Sequence, residues 1–217
     1  MTGKAIFDTL SDEGNQIHEL GFSRMSIRLS LYKPPSAVFS RSLVRLKCVQ
    51  DIQRDLEDLE TPKKSLKLSF LNQTYVVHLI AFWQAFNENL LRDAYQSLHA
   101  SQPDLRIQAL LKHSHDRAVA RFNSPNRQNI DQLFFEGIGL KKVTSAWSEP
   151  DLSSDVATNT LTDLLSVRHE IAHTGKTERP LSYSTNFARM EILVRMSELL
   201  EGRVFHETGG PLNRSEV

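Results

Sequence analysis

Apolar residues recur at three- and four-residue steps along most of the chain, which is the spacing of one side of an α-helix. The longest such pattern covers residues 66–98 and presents a broad apolar side, so we expect it to form the central helix. Shorter patterns predict helices over residues 43–59, 105–122, 129–138 and 185–200, and a weak helix over residues 5–20. No segment has the alternation and turn signals of a β-hairpin.

Breakers and caps divide these helices. Pro34-Pro35 cannot lie within a helix, so residues 22–42 are expected to be irregular. Ser153-Ser154-Asp155 can cap a helix that runs to His173, and Gly175 can end it. The sequence therefore predicts an all-α fold, an antiparallel helical bundle over residues 65–205. A partly irregular N-terminal extension, residues 1–64, and a polar C-terminal tail, residues 206–217, complete the expected organisation.

Charge and composition restrict the environment of the protein. Its 217 residues include 26 basic and 26 acidic residues, so only a local basic patch could attract nucleic acid. No run of about 18 apolar residues exists to span a membrane, and the acidic residues within residues 1–20 are atypical of a secretory signal. The single Cys48 cannot form an intramolecular disulfide and is expected to be a small buried residue in a reducing compartment. We expect a cytoplasmic protein.

One short segment concentrates groups that can do chemistry: Arg168-His169-Glu170-Ile171-Ala172-His173. In a first interpretation, His169 and His173 are zinc ligands at i and i+4 on one helix side, and Glu170 acts on a metal-bound water. This pattern predicts a zinc-dependent hydrolase, although the longer histidine-glycine-histidine continuation of many zinc proteases is missing.

A second interpretation uses Arg168 and His173 on a phosphodiester. Histidine can take a proton from a ribose 2′-hydroxyl or return one to the leaving oxygen, and arginine can hold the phosphate. It requires the helix path to loosen near its end, so that residues five apart converge. In a purely structural alternative, His173 caps the helix and Arg168 pairs with Glu170 or Asp163 on the surface.

The segment from Leu164 to Gly175 resembles the signature of HEPN-domain ribonucleases: arginine, a polar residue, three further residues, and histidine with a nearby glycine. Residues 76–86 resemble the long helix of the RiboL-PSP subgroup, and residues 129–140 resemble its segment that ends in Ile-Gly-Leu. The resemblance implies an all-α homodimer in which two Arg-His pairs form one cleft for RNA. Arg168 and His173 would then be catalytic without a metal or other cofactor, and His169 would support the site or contact phosphate.

Two basic clusters are candidate RNA-binding surfaces, since arginine and lysine contacts to phosphate supply most of the affinity for nucleic acid. The candidate residues are Arg24, Arg28, Arg41 and Arg45 in the first cluster and Arg117 and Arg121 in the second. Three hypotheses stay open at this point: a metal-independent endoribonuclease, a zinc hydrolase, and a non-catalytic HEPN-like interaction module. The first would suit a toxin, an antiphage effector or an RNA-processing factor, and an antitoxin or another regulatory protein is a possible partner.

Overall fold

The computed structural model describes residues 32–210, and within that range six α-helices form the fold without a β-strand. They are α1 (Pro35–Glu57), α2 (Lys64–Ser101), α3 (Leu105–Arg121), α4 (Arg127–Ile138), α5 (Ser154–Thr174) and α6 (Tyr183–Thr208). A 3₁₀ turn, Val143–Ala146, lies between α4 and α5. The all-α class predicted from the hydrophobic spacing is confirmed. The expected weak helix over residues 5–20 lies outside the described residues.

Helix α2 is the centre of the bundle, as its long apolar pattern predicts. It contacts each of the other five helices. Trp83 is fully buried near its middle, stacks on Phe86 with ring centroids 5.3 Å apart, and also contacts Trp147 at 6.1 Å. Because aromatic side chains bury the largest apolar areas, this cluster anchors the surrounding helices on α2.

Helix α1 starts earlier than expected, at Pro35, so the prediction of an irregular chain up to Ser42 is wrong for residues 35–42. Proline fits the first position of a helix, where its missing N–H needs no partner. The N-cap residue, Pro34, has no side chain that can cap the helix. Glu201 of α6 does so instead, because its carboxylate accepts hydrogen bonds from the Ser36 backbone N–H at 2.7 Å and from Ser36 Oγ at 2.6 Å.

Helix α1 shares the core of the other helices. Phe39, Leu43 and Leu46 are buried in it, and the compact unit to which they belong begins at Pro34. Cys48 lies on the opposite side of the helix and is exposed, so the expectation of a buried thiol is wrong. Helical periodicity explains this, since position 48 is not in phase with the buried positions 43, 46 and 50.

The other helix ends follow local signals. Asp104, Asn126, Ser153 and Ser182 each accept a hydrogen bond from a backbone N–H of the first turn that follows. Helix α6 continues beyond the expected end at residue 200, because buried Val204 packs in the core and only Gly209, at φ 79°, ends the helix. The first residues of the expected tail are therefore helical. Within residues 32–210, no helix combines the length and apolar character that a membrane crossing requires.

The contact between Ser36 and Glu201 should make stability depend on pH. Burial raises the pKa of the Glu201 carboxyl above its ordinary value, although both hydrogen bonds from Ser36 act in the opposite direction. The folded protein then holds a proton that the unfolded chain has already released, so the free energy of unfolding should fall as pH rises through that raised pKa. Denaturant unfolding at a series of pH values should show this step in the unsubstituted chain and not in Glu201→Gln.

Glu207→Gln is the matched control, since Glu207 also lies on α6, pairs with Arg203 and is not among the groups that shift the pKa of Glu201. This variant should keep the step that Glu201 causes. Identical pH profiles for Glu201→Gln and the unsubstituted chain would contradict the assignment.

Candidate active site

Helix α5 carries the predicted catalytic residues on its exposed side. The Ser153 side chain caps its first turn, and Gly175, at φ 77°, ends it. Leu161, Leu164 and Val167 are buried against the core, which fixes the rotation of the helix about its axis. Arg168, His169 and His173 consequently lie on the surface, and we call these three residues the α5 strip.

The two imidazoles of the α5 strip are neighbours. The ring centroids of His169 and His173 lie 4.2 Å apart, and the ring planes are tilted by 57°. Arg168 makes no hydrogen bond or ion pair to any residue in the range that the structure describes. No side chain of residues 32–210 therefore competes with an anion for its guanidinium.

Arg168 and His173 do not converge in the way that the second interpretation requires. Helix α5 is regular through Thr174, and the Gly175 N–H still donates to the Ile171 carbonyl at 2.8 Å. On a regular helix, residues five apart differ in direction by about 140°. The expected loosening is therefore absent, and within one chain the structure brings His169, not Arg168, to His173.

Glu170 faces a different part of the molecule from the α5 strip. Its carboxylate accepts hydrogen bonds from Thr177 Oγ1 at 2.7 Å and from the Glu178 backbone N–H at 3.3 Å. The hydrogen bond from Thr177, that from Glu178 and the charge of Arg179 lower the pKa of this carboxyl. Glu170 thus holds the chain that follows α5 in place. Because both of its oxygens already accept hydrogen bonds, Glu170 is poorly placed to act as a base on metal-bound water.

Arg179 has a structural role that no pattern in the sequence predicts. Its guanidinium donates to Asp163 Oδ1 and to Ser166 Oγ, both at 2.8 Å, and its Nε lies 3.6 Å from Glu170 Oε2. Arg189 of α6 pairs with the same Asp163. Asp163 and Glu170, the proposed surface partners of Arg168, therefore pair with Arg179 and Arg189 instead. The structural alternative in which Arg168 pairs with these carboxylates is wrong.

The zinc interpretation depends on a third protein ligand. The spacing of His169 and His173 suits two ligands on one helix side. In the described range, no group of three or more histidine, cysteine, aspartate or glutamate side chains has an arrangement that could hold a metal ion. The paired imidazoles alone would form an incomplete site in a single chain.

The proposed RNA-binding arginines lie on two helices. Arg41 and Arg45 are exposed on α1, and Arg117 and Arg121 are exposed on α3. Arg121 lies 3.8 Å from Glu136, which partly neutralises it, whereas Arg117 has no charged partner among the described residues. Arg24 and Arg28 lie outside the described residues.

Comparison with known proteins gives one match. A family model described as RiboL-PSP-HEPN matches residues 40–200. No curated protein matches the chain, and no solved structure matches it. The matched range starts within α1, ends within α6 and contains all of α5 with its exposed strip.

Removal of the Arg179 guanidinium should loosen the chain after α5 without unfolding the bundle. Exposed ion pairs contribute only about 0–1 kcal/mol each, so Arg179→Met should change global stability little. Amide hydrogen exchange in residues 176–182 should become faster, because two hydrogen bonds that hold this segment are lost. Arg195→Met is the matched control, since Arg195 also joins two carboxylates, Glu149 and Glu198, elsewhere in the fold. Equal exchange rates in both variants would contradict this role.

Glycine at the end of α5 should matter for stability. Gly175 has a left-handed backbone conformation, which costs an L-residue about 1–2 kcal/mol. Gly175→Ala should lower the free energy of unfolding by about that amount. Gly202→Ala, at an exposed helical glycine with open space around it, should instead raise the free energy by about 0.5–1 kcal/mol. Denaturant titration of both variants measures the difference, and changes of the same sign would contradict it.

Proposed function

This chain belongs to the RiboL-PSP-HEPN family, and we propose on that basis that it is a metal-independent endoribonuclease. HEPN domains are generally of the ribonuclease type, act on RNA and often dimerise. The observation that supports catalysis in this chain is the α5 strip, where two neighbouring imidazoles and an arginine that no residue of 32–210 pairs with are exposed on one helix.

The residues of the α5 strip suit cleavage of RNA by its own 2′-hydroxyl. His173 would take the 2′-hydroxyl proton while that oxygen attacks the phosphorus, and the bond from phosphorus to the 5′-oxygen would break. A second imidazole would return a proton to the leaving 5′-oxygen, so that a 2′,3′-cyclic phosphate and a 5′-hydroxyl result. The Arg168 guanidinium would bind the phosphate and stabilise the charge that develops in the transition state. His169, beside His173, would orient it or contact the phosphate.

The divergence of Arg168 and His173 on α5 favours a site assembled from two chains. A twofold axis beside the α5 strip would place the arginine and histidine of one copy opposite those of the other. One His173 could then act as base and its symmetry mate as acid. The side of α5 with Asp163 and Glu170 holds the following segment of the chain, so this contact would use the side that carries the strip.

An unrestrained ribonuclease would damage the cell that makes it. We therefore include in the proposal a regulatory protein, such as an antitoxin, that covers the α5 strip in a toxin or antiphage system. The exposed Arg41, Arg45, Arg117 and Arg121 would guide RNA by contacts to phosphate. The proposed location is the cytoplasm, where RNA is the available substrate.

The test is RNA cleavage in the presence of EDTA. Arg168→Ala and His173→Ala should each lower the cleavage rate by about 100-fold or more, because each removes a group that acts in the transition state. His206→Ala is the matched control, since His206 is also exposed in the last turn of its helix. Substitution of 2′-deoxyribose at the cleaved position should block the reaction, because the attacking hydroxyl is then missing.

Other outcomes would identify the alternatives. Cleavage that EDTA abolishes and Glu170→Gln eliminates would indicate the zinc hydrolase. A folded dimer that cleaves no RNA, with or without metal, would indicate a non-catalytic interaction module.

A further inference from the structure

A polar cleft lies on the other side of the segment that Glu170 and Arg179 hold. Its volume is about 540 Å³, and its walls come from the C-terminal half of α1, the N-terminal half of α2 and residues 177–183. This volume is within the range of small-ligand sites in proteins. Thr177 joins the two regions, because it lines the cleft and also donates its hydrogen bond to Glu170 of the catalytic helix.

Two largely buried amides line the cleft and keep hydrogen-bonding capacity that the described residues do not use. Gln53 is only 3% exposed, and its side chain makes no hydrogen bond to any residue that the structure describes. Asn72 is 7% exposed, and its Oδ1 accepts from Asn186 Nδ2 at 3.1 Å, which leaves its own Nδ2 without an acceptor in the described range. The polar atoms of Gln53 and Asn72 are not among the fully buried atoms without a partner in the described range, as expected for groups that a polar ligand in the cleft can reach.

The charges around the cleft favour a neutral ligand over a phosphate. Glu57 and Glu178 line it, and the one guanidinium there, that of Arg179, already serves Asp163 and Ser166. A phosphate would face two carboxylates without a free cation from the lining residues. A planar neutral group with adjacent donors and acceptors would satisfy the amides instead.

An aromatic ring borders the same cleft. Tyr183 lines the cleft, is 38% exposed and lies almost parallel to Phe187, with ring centroids 6.2 Å apart. Aromatic side chains of this kind stack on the bases of single-stranded RNA. Amide side chains complement base edges, as when glutamine both accepts from and donates to adenine.

We propose that this cleft binds an unpaired nucleobase of the RNA substrate, with Gln53 as the principal recognition residue. In naming RNA as the source of the base, this inference rests on the proposed function. The cleft and the α5 strip would bind different parts of the RNA. The cleft would bind a neutral base, and Arg168 would bind a phosphate. Base binding would also order the Thr177–Glu170 contact that links the cleft to α5.

RNA binding by the full chain tests this, in a His173→Ala background that leaves the RNA intact. Fluorescence anisotropy would compare a short single-stranded RNA with an abasic RNA of the same length. Gln53→Leu should weaken binding of the complete RNA roughly tenfold, in line with the value of a good bidentate base contact, and should leave abasic RNA unaffected. Gln50→Leu is the matched control, because Gln50 lies one turn earlier on α1, is also buried and bonds to Tyr75 outside the cleft.

Thermal unfolding keeps the result interpretable. Gln53→Leu should preserve the Tm, since it removes no hydrogen bond to the described residues. A folded Gln53→Leu variant that binds complete RNA like its parent would overturn the proposal. Saturable binding of free adenosine that depends on Gln53, with RNA binding unchanged, would overturn RNA as the source of the base.

The two proposals can fail separately. RNA cleavage by the unsubstituted chain, together with unchanged RNA binding in Gln53→Leu, would remove the nucleobase cleft and keep the ribonuclease. Base-dependent RNA binding that requires Gln53, in a chain that cleaves no RNA, would keep the cleft and remove the ribonuclease.

Discussion

Burial of one side of α5 is the constraint on which the rest of this molecule depends. Leu161, Leu164 and Val167 lie in the core against α2 and α6, so the helix cannot rotate about its axis. Because each residue of an α-helix is rotated by about 100° from the one before, the buried positions set the direction of every other side chain. Arg168, His169 and His173 are forced to the surface, while Glu170 turns toward the segment that follows. The chemistry available to this chain is a consequence of how its penultimate helix packs.

The same packing determines which charged side chains near α5 pair with one another and which stay exposed. Asp163 and Glu170 are occupied by Arg179, Arg189 and Thr177, so neither carboxylate pairs with Arg168. Because these ion pairs and hydrogen bonds are partly exposed, they contribute little to the free energy of unfolding. Their main effect is to position the chain that follows α5. They hold residues 177–183 against α5, and that segment forms a wall of the polar cleft. One network thereby separates the exposed α5 strip from the polar cleft.

Tertiary contacts also decide how polar groups are tolerated near the core. Glu201 is half-buried at the start of α1, where two hydrogen bonds from Ser36 offset part of the cost of its desolvation. Within the described range, the amide oxygens of Asn87 and Asn186 are buried without a hydrogen-bond partner, which costs free energy. Packing of Phe39, Trp83 and Phe86 in the core stabilises a fold that bears this cost.

The sequence by itself determined the helical class, the central place of α2, the capped start of α5 and the family to which the chain belongs. These features depend on residues within a few positions of one another, as for Ser153 with the first turn of α5 and Gly175 with its end. The start of α1, the end of α6, the exposure of Cys48 and the partners of Glu170 were decided by tertiary structure. Ser36 and Glu201 are 165 positions apart, and Gln53 meets residues 177–183 only in the folded chain. Hydrophobic spacing says which side of a helix is buried, but only the packed fold decides what the other side contacts.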